Sequence, residues 1–268
     1  NIRDMVADWL ACGIDLKKSV VFLQSDVAEH SELHLILSMI TPLPWLERCP
    51  TYKEQLKEIK GKDLQTYGFL GYPVLQAADI LLYKATAVPI GQDQLPHLEL
   101  TREICRRFNG LYGGVFPEPK ALLTHYPRLL GTDARKMSKS YNNCLYISDS
   151  PEAITAKIKT MYTDPKKIHM GDAGNPDECP VFLLRNIYDP AETEPAAAEC
   201  RKGALGCADC KKRLTGRLLT DIAPIRETRN KYSTNPAEID RILAEGGLRA
   251  KAEAGKTMQE VRKAVWKK

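Results

Sequence analysis

Polar side chains recur along one face of a helix that is otherwise apolar. They are spaced four, three and four residues apart and are Tyr72, Gln76, Asp79 and Tyr83. This spacing places them on the same side of the helix predicted over Tyr72–Tyr83. Because a carboxylate among apolar neighbours is costly without a donor, Asp79 requires a partner. That partner is either an Arg, a Lys or backbone N–H groups, or a donor on a ligand that Tyr72 and Gln76 also contact.

A second candidate site lies where a short predicted strand leads into a helix. The segment Val88–Gln94 reads VPIGQDQ and passes through Gly91. In an α/β fold, a parallel sheet opens a ligand crevice at such a point, and the N–H groups of the helix start face outward. A plain N-cap by Asp93 or Gln94 explains the same pattern.

A third candidate is a polar stretch that starts with glycine. Residues 131–141 read GTDARKMSKSY, and the central part, residues 136–140, reads KMSKS. Cations and serine hydroxyls are concentrated here, in a segment too polar to form core. Considered by itself, this pattern fits a solvated surface loop as well as a ligand-binding loop.

Four of the eight cysteines lie close together in the second half of the chain. They are Cys179, Cys200, Cys207 and Cys210, and the last two form a Cys-x2-Cys pair that is typical of thiolate metal ligation. The spacing leaves Zn²⁺ and a 4Fe–4S cluster open, with free thiols as the remaining alternative. Directly after them, Lys211–Arg213 supplies cations that fit a tRNA surface or a solvated helix face.

Hydrophobic periodicity predicts two regions of different type. Over residues 1–148 helices alternate with short strands, which favours an α/β fold with a Rossmann-like parallel sheet. Over residues 149–268 the pattern is helical, which favours an all-helical domain. The last helix of this domain can pack back on the region 1–148. The predicted strands include Ser19–Leu23 and Ala87–Ile90, and Glu192–Ala198 is predicted to be a flexible bridge. The main predicted helices are Asp4–Cys12, His30–Ile40, Val74–Tyr83, Gln94–Phe108, Ala153–Met161, Val181–Tyr188, Lys211–Lys231, Pro236–Ala244 and Leu248–Val265.

The bulk composition is that of an ordinary globular protein. The 268 residues are 43% hydrophobic and 27% charged, and the length is enough for two domains. No apolar run approaches a membrane span and no charged-then-apolar leader begins the sequence, so we expect a cytoplasmic protein with no membrane partner. The net charge of +5 permits contact with a polyanion but does not require it.

Three sequence blocks taken together resemble those of a known family. They occur in order at suitable separations and read YPVLQAADILLY (Tyr72–Tyr83), VPIGQDQLPHLELTREICRRFN (Val88–Asn109) and KMSKS (Lys136–Ser140). The blocks resemble those of the bacterial tryptophanyl-tRNA synthetases, which are class I enzymes. The likeness covers the chain from its first residues to well past KMSKS, and it continues more weakly through the helical half.

The resemblance implies a tryptophan–tRNA ligase. Such an enzyme uses ATP with Mg²⁺ to convert L-tryptophan into tryptophanyl-adenylate and pyrophosphate, and then charges tRNA(Trp). By the same resemblance, Asp79 would accept the indole N–H, and Tyr72 and Gln94 would hold the amino group. Gln76 would stand against the indole ring, where many relatives have Met. The apolar side of the pocket would be lined by Val88 and Ile90.

For ATP, the resemblance implies that Gly91 and Asp93 contact the adenosine. Asp93 would make its contact through the ribose. The reaction needs positioning and charge neutralisation but no enzyme nucleophile. Lys136 and Lys139 would neutralise the charge that builds on the departing pyrophosphate. The rest of the motif would complete the ATP site with Met137, Ser138 and Ser140.

The family also implies properties beyond the substrate site. A subset of its bacterial members carries a 4Fe–4S cluster with closely similar cysteine spacing, which favours iron–sulfur over Zn²⁺ here. A homodimer is implied, with Gln24–His34 as a candidate contact. A His-Ile-Gly-His-like loop of the family is not in these 268 residues, so we expect an N-terminal segment to be missing. This leaves two hypotheses, an active ligase or a non-catalytic, metal-stabilised tRNA-binding fragment.

Overall fold

The computed structural model describes residues 2–50, 52–53, 56, 64–124 and 129–266. The chain divides into two compact units. Unit 1 comprises Asn1–Asp15 and Arg128–Asp240, and unit 2 comprises Leu16–Pro127 and Arg241–Lys268. The domain limits predicted from the sequence, 1–148 and 149–268, stay a prediction.

Helices dominate the described residues, and two short strands form a parallel sheet. In chain order the elements are α1 (Ile2–Ala11), α2 (Glu29–Ile40), α3 (Leu43–Glu47), α4 (Tyr67–Leu70), α5 (Tyr72–Leu81), β1 (Ala87–Ile90), α6 (Leu95–Tyr112), β2 (Lys120–Leu123), α7 (Pro151–Lys159), α8 (Pro180–Tyr188), α9 (Pro190–Arg201), α10 (Cys207–Ser233) and α11 (Pro236–Trp266). Short 3₁₀ helices are Gln24–Asp26, Gln92–Gln94, Lys139–Tyr141 and Pro176–Glu178. The predicted fold class, a parallel sheet combined with a largely helical remainder, is confirmed.

The sheet places β1 beside β2 in unit 2, with Val88 opposite Ala121 and Ile90 opposite Leu123. Parallel strands need a crossover connection, and α6 lies in that connection. The strand predicted over Ala87–Ile90 is confirmed. Strand β2 was not predicted, because its side chains are mostly exposed and show no alternation of apolar and polar residues.

The core of unit 2 forms around α5, which packs against α2 and α6. Ala77, Ala78 and Leu81 on α5 are fully buried. The C-terminal part of α11 adds a stripe of apolar residues to the same core, made of Ala250, Ala254, Met258 and Val261. Their spacing of four, four and three residues is that of one helix face. Helix α5 is therefore held on several sides, which fixes the direction of its polar face.

The buried strand predicted at Ser19–Leu23 is wrong. In the described residues this segment pairs with no strand, and Val20 is 39% exposed whereas Val21 is buried. The Val21 carbonyl packs instead against Gly246 of α11, where a Cβ would lie 1.9 Å from the carbonyl oxygen. A short apolar run does not reveal whether a neighbouring strand is available to pair with it.

Two further predictions are corrected in the helical part. Glu192–Ala198 is not a flexible bridge but lies within α9, because Ala196 and Ala197 are buried in the core of unit 1 and alanine favours helix. The helices predicted over Pro236–Ala244 and Leu248–Val265 are one continuous helix, α11. The glycine pair between them does not end it.

Unit 1 is built on α10, which packs against α1, α7 and α8. Its core contains Phe182 and Leu184 of α8 together with Leu214 of α10. Asp8 of α1 also pairs with Arg229 of α10. Across the part of the chain that the structure describes, no helix has the length and apolar character needed to cross a membrane.

Candidate active site

Asp79 lies on α5 and has two donors from its own unit. Gln24 Nε2 donates to Oδ1 over 2.6 Å, and His30 Nδ1 lies 2.7 Å from the same oxygen. A carboxylate oxygen only accepts, so the proton of the imidazole is on Nδ1. The partners are therefore a glutamine and a histidine, not the Arg, Lys or backbone donors expected for a structural pairing. Oδ2 has no hydrogen-bond partner among the described residues, and the Asp79 side chain is 36% exposed.

The second ring nitrogen of His30 continues this network. Nε2 lies 2.9 Å from the hydroxyl of Tyr83, and Phe22 packs edge-on to the Tyr83 ring. Burial, together with the nearby carboxylates of Asp79 and Glu29, raises the pKa of Tyr83 to about 12. The phenol therefore keeps its proton and can donate to Nε2. Tyr83, which the helical spacing places on the same face as Asp79, contacts the histidine behind that carboxylate.

A cavity of about 550 Å³ opens in unit 2, a size suited to a small-molecule ligand. Its described lining residues are Tyr52, Thr66, Gly68, Phe69, Tyr72, Pro73, Gln94 and His97. It brings together Tyr72 and Gln94, the two residues expected to hold a substrate amino group. The described lining residues do not include Gln76, Asp79, Val88 or Ile90.

The wall of this cavity contains a histidine that the sequence did not point to. His97, in the first turn of α6, is buried and meets the Tyr72 ring edge-on with centroids 5.9 Å apart. Burial lowers the pKa of His97, which favours the neutral ring. Cys49 Sγ lies 3.7 Å from its Nδ1. Nothing in the local pattern of α6 separates this histidine from an ordinary core residue.

Gln76 lies between Tyr72 and Asp79 on the polar face of α5. Its Oε1 is buried and has no hydrogen-bond partner among the described residues. An unpaired buried carbonyl is costly, at about 1–3 kcal/mol. The position is thus suited to a donor that comes from outside the described residues.

The turn from β1 into α6 carries the next group of expected site residues. Val88 and Ile90 alternate as the half-buried positions of β1. The plain N-cap interpretation is wrong, because neither the 3₁₀ helix after Gly91 nor α6 has a side-chain cap. Asp93 is exposed and accepts a 3.2 Å hydrogen bond from Gln94 Nε2. A Cβ on Gly91 would lie 2.6 Å from Asp93 Oδ1, so the turn is tight at this glycine.

The segment 131–141 belongs to unit 1 and is organised by Asn143, which is 2% exposed. Asn143 Oδ1 accepts from the Ser138 N–H at 2.8 Å. Its Nδ2 donates to Asp133 Oδ1 at 2.7 Å and to the Lys136 carbonyl at 3.1 Å. A Cβ on Gly131 would lie 2.2 Å from that Nδ2, so only glycine fits there. The sequence offered no signal for Asn143, because its role depends on the folded loop.

Some charged side chains of this loop pair with each other, and others are exposed to solvent. The hydrogen bond from Asn143 and the pairing with Arg135 lower the pKa of Asp133 to about 2, so its carboxylate is ionised. Arg135 also lies over the Tyr141 ring at 4.6 Å. Lys136 and Lys139 are exposed, and neither forms an ion pair with a described residue. Among the rest of the motif, Met137 donates its N–H to the Leu129 carbonyl and Ser140 lies in a 3₁₀ helix.

All four clustered cysteines line one small cavity of unit 1, of about 20 Å³. Cys179 directly precedes α8, Cys200 lies in the last turn of α9, and Cys207 and Cys210 lie in the first turn of α10. Nonetheless, in the described residues no group of three or more His, Cys, Asp or Glu side chains is arranged to hold a metal ion. The thiols thus share a cavity without adopting a ligand geometry.

Two buried cations face these thiols. Lys167 Nζ lies 3.8 Å from Cys200 Sγ, and Arg185 Nη1 lies 3.9 Å from Cys210 Sγ. Burial raises the pKa of Cys210 to about 11, which keeps the thiol protonated. A Cβ on Gly174 would lie 2.7 Å from Cys200 Sγ, so the chain approaches the cluster closely there.

The sequence matches the family described as tRNA synthetases class I (W and Y) over residues 1–219. The chain belongs to this family. The synthetase is 50% identical over 265 residues to the tryptophan–tRNA ligase of Thermotoga maritima, covering 98% of this chain and 81% of the relative. It is 42% identical over 336 residues to the tryptophan–tRNA ligase of Aquifex aeolicus, covering 99% of this chain and 85% of that relative.

Solved structures show the same relationship. The class I synthetase is similar to the tryptophanyl-tRNA synthetase of Campylobacter jejuni, solved in complex with ADP and tryptophan, with a TM-score of 0.83 and 33% identity. That match covers 97% of this chain and 81% of the other. The enzyme of Mycoplasma pneumoniae matches with a TM-score of 0.79 and 26% identity over 98% and 80% of the two chains.

Proposed function

We propose that this class I synthetase is a tryptophan–tRNA ligase. With ATP and Mg²⁺ it converts L-tryptophan into tryptophanyl-adenylate and pyrophosphate, and it then transfers the amino acid to tRNA(Trp). The observation that carries this function is the 50% identity to the Thermotoga maritima ligase over nearly the whole chain. The enzyme's own contribution is to position the reactants and to neutralise charge on the leaving group.

For tryptophan, we propose a pocket on the polar face of α5. Asp79 accepts the indole N–H, and its accessible Oδ2, which has no partner among the described residues, supports this role. Tyr72 and Gln94 bind the amino group, and their place in one cavity supports it. Gln76 faces the indole ring with its Oε1, which has no partner among the described residues, as an acceptor. The apolar wall is formed by Val88 and Ile90.

For ATP, we propose that Gly91 and Asp93 contact the adenosine and that the KMSKS loop contacts the phosphates. The tight turn at Gly91 lets a ligand approach the backbone closely. Lys136 and Lys139 neutralise the departing pyrophosphate, and their exposure and lack of an ion pair with any described residue support this role. The remaining contacts of the loop come from Met137, Ser138 and Ser140.

Tryptophan-dependent exchange of pyrophosphate into ATP tests both sites. Asp79→Ala is expected to abolish tryptophan binding, whereas Glu47→Ala removes an exposed carboxylate at the end of α3 in the same unit and serves as control. Lys136→Ala and Lys139→Ala are each expected to lower kcat by about a hundredfold without changing tryptophan affinity. Retained binding by Asp79→Ala would refute the pocket, and the absence of exchange in the unaltered chain would favour the non-catalytic, tRNA-binding alternative.

We further propose that Cys179, Cys200, Cys207 and Cys210 hold a 4Fe–4S cluster, with Zn²⁺ as the alternative. Four thiols around one cavity are a donor set that suits either group. The bound group would join the starts of α8 and α10 to the end of α9. Thiol geometry counts against a preformed site, so binding requires the side chains to turn inward.

Absorbance and metal analysis of protein purified without oxygen decide between these groups. A broad brown absorbance that is lost in Cys207→Ser supports iron–sulfur. Stoichiometric zinc in a colourless protein supports the alternative. Cys144→Ser is the matched control, since this buried cysteine lies outside the cavity. Protein free of both metals would refute the site.

For tRNA, we propose that residues 149–268 form the anticodon-binding domain, next to a catalytic domain of residues 1–148. A groove of about 670 Å³ on α10 supports this, because Lys159, Lys211 and Lys212 line it. Binding by such a surface falls with salt as phosphate contacts are lost. Lys211→Ala combined with Lys212→Ala is therefore expected to weaken tRNA binding and to reduce its salt dependence, with exchange unchanged.

We also propose a homodimer with a contact around Gln24–His34, a segment that includes the first half of α2. Leu35 and Met39 lie four residues apart on α2 and are 55% and 74% exposed, which suits a surface that a second copy covers. Light scattering after size-exclusion chromatography measures the mass, and Met39→Lys is expected to shift it toward the monomer. An unaltered chain that is monomeric at micromolar concentration would refute the dimer.

A further inference from the structure

We propose that His30 is a positioning residue that, with Gln24 and Tyr83, fixes the orientation of the Asp79 carboxylate and reserves one of its oxygens for the indole N–H. This inference deepens the proposed function and rests on the role of Asp79 in it. His30 lies on α2, and its Nδ1 contacts Oδ1 of Asp79.

The division of labour between the two carboxylate oxygens is the first observation. Oδ1 takes both protein hydrogen bonds, at 2.6 Å from Gln24 and 2.7 Å from His30. Oδ2 takes none from the described residues, although the side chain is 36% exposed. Two donors on one oxygen restrict the rotation of the carboxylate. The other oxygen is left as an acceptor that no described residue satisfies.

The order of protons along the network is the second observation. Tyr83 donates its O–H to His30 Nε2, and His30 donates its Nδ1–H to Asp79. Because the phenol keeps its proton, it can serve as the donor to Nε2, and the Nδ1–H is then the group that donates to the carboxylate. Asp79 therefore presents only lone pairs to the pocket. It accepts from a ligand N–H and has no donor for a ligand that offers only an acceptor.

The rigidity of the network is the third observation. His30 is 4% exposed and lies in the first turn of α2, where its N–H donates to the Val27 carbonyl at 3.2 Å. The rings of Phe22 and Tyr83 pack on it with centroid distances of 6.0 and 5.4 Å. A merely structural link between α2 and α5 would need no accessible, unpaired oxygen. A specificity device needs one, and it would affect the choice of ligand as well as stability.

Calorimetric titration of the full chain measures this choice with two ligands, tryptophan and the analogue in which sulfur replaces the indole N–H. The unaltered protein is expected to bind tryptophan about a hundredfold more tightly than the analogue. His30→Phe keeps a ring but no hydrogen bonds. It is expected to weaken tryptophan binding about tenfold and leave analogue binding unchanged. Tyr83→Phe, which removes only the hydroxyl, is expected to lose about threefold in the same direction.

Two further variants separate positioning from general damage. His30→Asn retains a donor near the Nδ1 position and is expected to restore most of the discrimination. His34→Phe is the matched control, since it makes the same change one turn along α2 at a ring whose Nδ1 has no hydrogen-bond partner in the described part of the chain. In His34→Phe the preference for tryptophan over the analogue is expected to stay that of the unaltered chain.

Each result bears on the inference. Equal weakening of both ligands in His30→Phe, or unchanged discrimination, would overturn it. If His30→Phe does not fold, unchanged discrimination in Tyr83→Phe overturns it instead. Loss of discrimination in Asp79→Ala but not in His30→Phe refutes the role of His30 alone. If Asp79→Ala discriminates like the unaltered chain, the proposed pocket fails, and the inference fails with it.

Discussion

Replacing Asn143 with alanine is expected to destabilise the loop that carries Lys136 and Lys139. The substitution removes three hydrogen bonds, to the Ser138 N–H, the Lys136 carbonyl and Asp133. At about 1 kcal/mol for each bond of a buried side chain, the loop loses about 3 kcal/mol of local stability. Two of the three bonds hold the backbone of the KMSKS motif, so the loss falls on the residues proposed to meet pyrophosphate.

Hydrogen–deuterium exchange of the loop amides measures this loss directly. About 3 kcal/mol corresponds to roughly 100-fold faster exchange of the Ser138 N–H. In the pyrophosphate exchange assay, kcat is expected to fall at least tenfold, whereas tryptophan affinity stays unchanged because its proposed pocket belongs to unit 2. Asn143→Asp is expected to lower loop stability and kcat further than Asn143→Ala. It keeps the acceptor for the Ser138 N–H, but it places a second carboxylate beside Asp133.

Asn142→Gly is the control for these substitutions. Asn142 is exposed and has φ of 50°, a conformation that glycine adopts readily, so exchange and activity are expected to stay unchanged. If Asn143→Ala retains both the protection of the Ser138 N–H and its kcat, Asn143 does not organise the loop. If protection is lost but kcat is kept, the geometry of the loop does not limit pyrophosphate release or adenylate formation, and the proposed role of the lysines is refuted.

Three further substitutions or conditions test other parts of the structure. Gly246→Ala is expected to destabilise unit 2 by about 1–3 kcal/mol, because its Cβ would meet the Val21 backbone, whereas Gly247→Ala has room and is expected to stabilise the helix by about 0.5–1 kcal/mol; urea unfolding that ranks them the other way would contradict this. Gln76→Met removes a buried carbonyl that has no partner among the described residues, so it is expected to raise the free energy of unfolding of the ligand-free chain by about 1 kcal/mol and its melting temperature with it; a lower melting temperature would mean that the carbonyl is paired. Because the folded loop lowers the pKa of Asp133, the contribution of this carboxylate to loop stability is complete above its ordinary pKa of 3.8 and is lost as the pH falls toward about 2. The protection of the loop amides from exchange should therefore decline across that interval, and constant protection would show that the ionised carboxylate does not hold the loop.

Much of the fold was predictable from local patterns. The helix around Asp79 has a strong helical periodicity, and strand β1 has the β-branched residues Val88 and Ile90. Both elements were predicted. The failures share a cause. Ser19–Leu23 lacks a partner strand in the described residues, and the alanines of Glu192–Ala198 become helical because a core covers them. In each case contacts with distant residues decided the outcome, and these leave no mark on a short stretch of sequence.

The candidate site divides in the same way. The sequence by itself determined the family, the polar face that carries Asp79, the KMSKS motif and the cysteine tetrad, because those features are local residue types at fixed spacing. Only the tertiary structure decided that Gln24 and His30 supply the donors of Asp79, and that Asn143 rather than a residue of the motif organises the KMSKS loop. His30 and Asp79 are 49 residues apart in the sequence, so whether their side chains meet in a hydrogen bond depends on how α2 packs against α5. Packing of this kind is set by the whole core at once and not by the spacing of residues along the chain.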